Sequence, residues 1–290
     1  MRVLLFLGTN LAVMLVLSIA MRVFGIDRMM AGNGIPYQGL LVMAAVIGIV
    51  GSFISLAMSK SMAKRSVGAV VIEQPSNELE QWLMATVERQ ARDAGIDMPE
   101  VAIFNSPTPN AFATGMNKNK ALVAASTGLL EGMTRDEAEA VMGHEISHVA
   151  NGDMVTMALL QGVLNTFVIF LSRVAGYVID GMLSKGEGRH RPGIGYYLSS
   201  MVFEMVFGLL ASMIAMWFSR KREFRADNGG ADLAGRQKMI AALQRLQSLQ
   251  NPQPLPEQLT AAGFIGGKFG KLFSSHPPLE VRIAALQNQG

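Results

Sequence analysis

Long runs of apolar residues alternate with mixed stretches along this chain. Four runs carry no acidic or basic residue, apart from a single Glu204 in the last, and they cover residues 3–21, 29–59, 154–172 and 192–219. A helix needs about 20 mostly apolar residues to cross the hydrocarbon core of a bilayer. The pattern therefore predicts two hairpins of membrane helices, within residues 1–59 and 154–219.

The first run is longer than the apolar core of a secretory signal peptide. Residues 18–20 form a small-x-small triplet of the kind that a cleavage site requires. However, the run of about 19 uncharged residues exceeds the usual apolar region of about 7–15 residues. We therefore expect an uncleaved anchor, and cleavage, the alternative, leaves the topology of the rest unchanged.

Composition favours a membrane protein with a sizeable soluble part. Half of the 290 residues are apolar, only 16% are charged and the mean hydropathy is +0.30. Soluble domains carry roughly a quarter charged residues. The net charge of +3 is too small to indicate a nucleic-acid partner. Cysteine is absent, so disulfides, thiolate ligands and cysteine nucleophiles are excluded, and a metal would have to be held by histidine and carboxylate.

Basic clusters orient the predicted membrane helices. One cluster follows the second run and another follows the fourth: Lys60, Lys64, Arg65, Arg220, Lys221 and Arg222. Such clusters favour the cytoplasmic side. The loop of the second hairpin is also basic, so two interpretations stay open for residues 154–219: a full crossing, or an apolar hairpin that dips in or packs on protein. In both cases residues 60–153 and 220–290 lie on one side and can fold as one domain.

The two polar segments predict an α+β domain in which helices dominate. Strands are expected at 67–72, 101–104 and 121–125. Capping-box pairs predict that helices begin after Asn77 and after Thr134, and glycines at 95 and 152 mark their ends. Further helices are expected at about 220–234, at 237–249 and from Glu280, with a proline-rich loop at 251–256.

The most informative motif is the pentad His144-Glu145-Ile146-Ser147-His148. Residues four apart share one helix face, so both imidazoles can reach one zinc ion. Glu145 points beside that ion, which suits a base that acts on water. The residue frequencies of this chain predict far fewer than one such pentad by chance, which argues against an accidental pattern on an amphipathic helix.

A catalytic zinc needs a third protein ligand. No histidine follows the pentad closely; His190 lies in the loop of the second hairpin, and His276 is far along the chain. Glu223 and Asp227 are one helical turn apart: Glu223 can ligate, and Asp227 can accept a hydrogen bond from a ligand histidine. The alternative is an ordinary basic helix next to the membrane, in which Glu223 pairs with an arginine.

These motifs together resemble peptidase family M48. The resemblance rests on the pentad and the following residues 149–153, on residues 223–227 with ordinary variation at Arg225, and on Ser275-His276-Pro277-Pro278 through Arg282. It covers nearly the whole chain. It implies a gluzincin-like domain with one Zn²⁺ per chain, held by His144, His148 and Glu223. It also implies an inner-membrane endopeptidase, linked to stress and prone to self-cleavage, that cuts misfolded or damaged membrane proteins at the cytoplasmic face.

Other residues have weaker assignments. The segment that begins Asn110-Ala111-Phe112-Ala113 can offer a strand edge to an extended substrate, or form a plain turn and strand. His276 can donate a hydrogen bond to an oxyanion, or serve only the structure. Arg282 can brace His276, pair with a carboxylate, or form a surface ion pair. Glu204 is expected to join helices, with Gln161 and Asn165 as candidate partners.

The expected chemistry is peptide hydrolysis by a zinc-activated water molecule with Glu145 as the general base. Two alternatives stay open at this point. One is a membrane zinc-binding or chaperone-like protein that holds substrates without cutting them, although such a protein has no use for Glu145. The other is a specialised processing peptidase with one defined cut site. Neither the natural substrates nor the oligomeric state follows from the sequence.

Overall fold

A computed structural model describes residues 37–183, 192–250 and 275–288, together with eight earlier residues (Leu15, Ser18, Ile19, Met21, Arg22, Val23, Gly25 and Arg28). Most of the first apolar run, the loop that contains His190 and the proline-rich stretch at 251–256 lie outside the described residues. The helices are α1 (Tyr37–Val67), α2 (Glu78–Asp93), α3 (Thr127–Gly132), α4 (Arg135–Asn151), α5 (Asp153–Leu183), α6 (Ile194–Ala234), α7 (Arg236–Gln250) and α8 (Leu279–Gln287). The strands are β1 (Val70–Val71), β2 (Glu100–Phe104), β3 (Ala111–Thr114) and β4 (Leu122–Ser126).

The chain divides into two compact units. One unit, here called the apolar unit, contains residues 1–55 and 156–215. The other, here called the mixed unit, contains residues 56–155 and 216–290.

A four-stranded sheet forms the β layer of the mixed unit. Its strand order is β1-β2-β4-β3; β2 and β4 are parallel, whereas β1 and β3 pair antiparallel with their neighbours. Lys60 and Lys64, from the first basic cluster, contact the Glu100 carboxylate at 2.8 and 3.2 Å. Within the described residues β3 is an edge strand, since it pairs only with β4.

Helices α2, α4, α7 and α8 build the main core of the mixed unit on one face of this sheet. Each helix contributes fully buried apolar side chains, among them Leu83, Met142, Leu243 and Leu286. A smaller cluster of Ala102, Phe104, Leu122 and Ala124 covers the other face. The expected α+β fold with dominant helices is observed in this unit.

Short sequence signals correctly predict where some of the helices begin and end. The Asn77 side chain accepts a hydrogen bond from Glu80 N at the start of α2. The first strand differs from the expected 67–72, because Val67 still belongs to α1 and Gly68, at φ 62°, ends that helix. Only Val70 and Val71 then pair in the sheet. The fourth apolar run and the helix expected at 220–234 form one continuous helix, α6.

Three of the described helices, α1, α5 and α6, are long and apolar enough to cross a membrane. In the apolar unit α1 and α5 approach closely through small residues. A Cβ added at Gly48 would lie 2.8 Å from Gly162 O and 2.8 Å from Thr166 N. Close backbone approach of this kind is a common basis of helix association in lipid.

Glu204 pairs with a different residue from the two expected. Its carboxylate lies 3.3 Å from Arg173 Nη1, and so joins α6 to α5. Gln161 and Asn165 instead hydrogen-bond to each other at 2.8 Å within α5. The expectation that these two amides are partners of Glu204 is therefore wrong. They lie four residues apart on one helix, and their side chains satisfy each other.

Replacing Gly48 by Ala is expected to destabilise the apolar unit, because the new methyl group meets the backbone of α5. Overpacking of this type costs about 1–3 kcal/mol. Gly51→Ala is the matched control, since a Cβ there meets no atom within 4 Å. The thermal midpoint of the full chain in detergent should fall by several degrees for Gly48→Ala and stay near the parent value for Gly51→Ala. Equal midpoints for both variants would contradict the close packing.

Candidate metal centre and active site

Helix α4 presents two histidines on one buried face, because both of its ends are fixed locally. The Thr134 hydroxyl accepts from Glu137 N, and Thr134 N donates to the Glu137 carboxylate, which completes a capping box. At the other end Gly152 takes a left-handed conformation at φ 63°. His144 and His148 lie between these caps, one turn apart, and each is only 6% exposed.

Glu223 reaches these histidines because α6 passes very close to α4. Two glycines, two helical turns beyond Glu223, make the approach possible. A Cβ added at Gly230 would lie 3.0 Å from the backbone nitrogen of His144. At Gly229 a Cβ would lie 2.1 Å from the Ser147 hydroxyl oxygen. Larger residues at these positions would force the two helices apart and withdraw the carboxylate.

The side chains of His144, His148 and Glu223 form a triangle of donor atoms, one from each residue, that all lie within 4.8 Å of one another. The two imidazole Nε2 atoms are 3.2 Å apart. Oε2 of Glu223 lies 3.5 Å from Nε2 of His144, and Oε1 of Glu223 lies 3.4 Å from Nε2 of His148. Atoms that bind a tetrahedral zinc at about 2.0–2.1 Å lie ~3.3 Å from one another. Both the chemistry of the donors and their spacing therefore fit a divalent metal, zinc above all.

The outer nitrogen of His144 faces a carboxylate that an arginine holds in place. His144 Nδ1 lies 3.0 Å from Asp227 Oδ1. Arg282 donates to both oxygens of Asp227, from Nε at 2.8 Å and from Nη2 at 2.5 Å. All three side chains are buried. Because the ionised carboxylate only accepts, it fixes the proton of His144 on Nδ1 and leaves the Nε2 lone pair for a metal.

His148 has a similar partner that the sequence reasoning missed. His148 Nδ1 lies 2.7 Å from Oδ2 of Asp153, whose other oxygen lies 2.5 Å from Arg225 Nη2. Asp153 is completely buried. In the sequence, Asp153 stands directly after the glycine that ends α4 and is the last residue of the segment 149–153 that resembles the family, but neither signal gives it a role beside His148.

The charges of this cluster compensate one another in a buried setting. Burial opposes ionisation of Glu223, but hydrogen bonds from His144, His148 and His276 outweigh it and hold the pKa of the carboxyl far below its usual range. Burial likewise disfavours charged His148, yet Asp153 and Glu223 raise its pKa to about 9. The ionised carboxylates thus favour a positive charge at the ring nitrogens. A divalent cation bound between these nitrogens would provide that charge.

Glu145 lies beside the donor triangle and has the properties of a proton acceptor. It is half-buried and lines the same cleft as His144. Burial raises the pKa of its carboxyl, although the charges of His144 and His148 oppose the rise. A raised pKa makes a carboxylate a better general base near neutral pH.

His276 lies next to the cluster on its exposed side. Its Nδ1 is 2.6 Å from Glu223 Oε2, while 59% of its side chain is exposed. The segment is anchored by Pro277, which is buried, and by Pro278, whose carbonyl accepts from the first turn of α8. Arg282, on α8, pairs with Asp227 rather than bracing His276. The structure therefore places His276 against a donor carboxylate, at the mouth of the site.

Strand β3 contains most of the segment expected to offer its edge to a substrate. Only the beginning of this segment borders the site. Asn110 and Ala111 line the cleft beside His144 and Glu145. Phe112 instead packs into the smaller core cluster, and Ala113 is buried in the main core. Because side chains alternate along a strand, the outer edge of β3 offers its backbone, not these side chains, to a ligand.

A cleft of about 570 Å³ opens in front of Glu145. Its floor is apolar, whereas histidines, Glu145 and two arginines supply its polar groups. Its apolar lining comes from α3, α4, α7 and the segment around α8, and includes Leu129, Val141, Met239, Leu243, Leu246, Pro277, Pro278 and Leu279. The cleft thus brings an apolar surface together with His144, one member of the donor triangle, and with Glu145, the candidate base.

Comparison with known proteins identifies a family. Residues 77–289 match the model of Peptidase family M48. The chain is 63% identical to Protease HtpX of Stenotrophomonas maltophilia (strain K279a), over 99% of this chain and 97% of the relative. It is 58% identical to Protease HtpX of Thioalkalivibrio sulfidiphilus (strain HL-EbGR7), over 99% and 98%. The resemblance inferred from the motifs is confirmed.

A solved structure supports the fold. The crystal structure of S. mikatae Ste24p superposes with a TM-score of 0.61, covering 98% of this chain and 67% of that chain at 17% identity. At this identity the similarity concerns the fold alone. The expected fold class is confirmed.

Replacing Gly230 by Ala is expected to weaken metal binding, because the added methyl group presses on the backbone of His144 and moves Glu223 outward. Zinc affinity should fall by roughly 10-fold, as for other changes just outside a ligand shell. Gly208→Ala on the same helix is the control, since a Cβ there has open space. Competition with a fluorescent chelator measures both. Unchanged affinity in Gly230→Ala would show that the helix approach does not set the ligand geometry.

Proposed function

The chain belongs to peptidase family M48, and on that premise we propose that it is a zinc endopeptidase that cleaves misfolded or damaged membrane proteins at the cytoplasmic face of a bacterial inner membrane. The chain is a membrane metalloprotease, a hydrolase of peptide bonds. The observation that carries the proposal is the donor triangle of His144, His148 and Glu223 beside Glu145, at an apolar cleft.

We propose one zinc ion per chain, held by His144, His148 and Glu223. Two imidazoles and a carboxylate with a spacing near 3.4 Å support zinc over the harder cations, which prefer oxygen ligands. When bound, zinc polarises water and the carbonyl group of a peptide bond.

The protein's own groups then move the protons. Glu145 accepts the proton of the attacking water molecule, and later delivers it to the nitrogen of the departing amine. His276 is exposed at the mouth of the site and can donate a hydrogen bond to the carbonyl oxygen as negative charge develops there. Its Nδ1 contact with Glu223 fixes the ring for that task. No covalent link between enzyme and substrate is needed.

The candidate binding surface favours extended, apolar substrates. The outer edge of β3 is available for backbone pairing within the described residues, and Asn110 and Ala111 bring its start to the cleft. A substrate must be locally unfolded to add as a strand. The apolar lining accepts the side chains that dominate membrane segments. A cleft of about 570 Å³ can accept apolar side chains of different sizes. This favours cleavage at numerous sites in a substrate over cleavage at a single processing site.

The proposed location follows from the charges and the helices. Three of the described helices are suited to a bilayer, which favours substrates held in the same membrane. The basic clusters around Lys60 and Arg220 favour the cytoplasm for the mixed unit. Unfolded copies of this chain are themselves apolar and held in the same membrane. Self-cleavage is therefore expected.

Glu145→Gln is expected to abolish proteolysis and to keep zinc, because Glu145 is proposed as the base and not as a ligand. Hydrolysis of a labelled unfolded protein by the full chain in detergent should fall at least ~100-fold. Bound zinc should stay near one per chain. A chelator should inhibit the parent.

Glu88→Gln, the same chemical change on the exposed surface of α2, is the matched control and should cut at the parent rate. Two outcomes would refute the assignment: a folded Glu145→Gln protein that has lost its zinc, or one that cuts as fast as the parent.

A further inference from the structure

Asp153 is a buried acid beside His148, at the junction of α4 and α5. It is the first residue of α5 and follows directly after Gly152, whose left-handed conformation ends α4. Its side chain is completely excluded from solvent, and both carboxylate oxygens are engaged. A buried carboxylate of this kind is costly unless each oxygen has a partner. Its two partners are His148 and Arg225.

We infer that Asp153 and Arg225 form a positioning pair for His148, separate from the pair Asp227 and Arg282 that faces His144. The inference rests on the proposed zinc site. Asp153 accepts from His148 Nδ1 at 2.7 Å, so that the Nε2 lone pair points toward Glu223. Arg225 Nη2 lies 2.5 Å from the other oxygen and fixes the carboxylate.

The two positioning pairs differ in their surroundings. Arg282 is buried and grips both oxygens of Asp227. Arg225 is 56% exposed and contacts one oxygen of Asp153. Replacing Arg225 therefore leaves no buried cavity, and the fold should tolerate it. This makes Arg225 the residue on which the inference can be tested without disturbing the core.

The direction in which zinc affinity changes when Arg225 is replaced distinguishes a positioning role from a purely electrostatic effect. A positive charge close to a cation site repels the cation, so that its removal should strengthen zinc binding. If Arg225 instead holds Asp153 in place for His148, its removal should weaken zinc binding. The two explanations predict opposite directions for one substitution.

The experiment measures the zinc dissociation constant of the full chain in detergent by competition with a fluorescent chelator. All proteins carry Glu145→Gln, which prevents self-cleavage and leaves the ligands intact. The variants are Asp153→Asn, Arg225→Gln, Arg225→Lys and Lys221→Gln. Lys221 is the matched charge control, because it is exposed on the same helix and contacts the ring of Trp217 rather than Asp153. Thermal midpoints of the metal-free proteins are recorded in parallel.

We expect Asp153→Asn to weaken zinc binding roughly 10–100-fold and Arg225→Gln to weaken it several-fold. Arg225→Lys should recover most of the loss, and Lys221→Gln should match the parent. The visible spectrum of the cobalt-substituted proteins should change for Asp153→Asn, since His148 is then held less firmly. A purely structural role would lower the metal-free midpoint and leave the dissociation constant unchanged.

The inference is overturned if folded Arg225→Gln binds zinc as tightly as the parent or more tightly, or if folded Asp153→Asn binds within twofold of it. Should Asp153→Asn fail to fold, the comparison of Arg225→Gln with Lys221→Gln decides by itself. A parent protein that binds no zinc would refute the proposed zinc site, and with it this role, whereas normal binding by every variant would refute only the positioning pair.

Discussion

The close approach of α4 and α6 is the constraint on which the proposed metal centre depends. Two of the proposed ligands come from α4, and the third lies 75 positions beyond His148, in α6 and after the long apolar helix α5. Only the absence of side chains at Gly229 and Gly230 lets the helix backbones come near enough for the Glu223 carboxylate to reach both imidazoles. Any change that separates the two helices would move Glu223, the proposed third ligand, away from both histidines.

The close approach of α4 and α6 also brings several carboxylates together in the protein interior, and neighbouring groups compensate their negative charge. Glu223, Asp227 and Asp153 are each almost inaccessible to water. Each faces an imidazole, and arginines complete the contacts of Asp227 and Asp153. Buried charges of this kind are tolerated only when they are paired and hydrogen-bonded. The result is an arrangement in which both histidines keep one tautomer and one direction, as a metal site requires.

How far the sequence predicts this structure depends on the range of each interaction. The capping box at Thr134 and the i, i+4 spacing of His144 and His148 are local, so that the helix and its histidine face could be predicted. Contacts between distant segments could not. Arg225 beside Asp153 and Arg173 beside Glu204 depend on how helices pack, and periodicity carries no signal for that. The strand expected from Val67 starts later, because α1 continues through its basic last turn to Val67 and ends at Gly68, which has a φ of 62°.

The central claim is that Glu223 and not His276 is the third metal ligand. Their side chains touch, with Nδ1 of His276 2.6 Å from Oε2 of Glu223, so that either could complete the site. The most direct measurement is the zinc content and affinity of Glu223→Ala and His276→Ala, each in the Glu145→Gln full chain. The account predicts that Glu223→Ala loses zinc while His276→Ala keeps about one equivalent. A folded Glu223→Ala protein with full zinc, together with loss of zinc in His276→Ala, would contradict it.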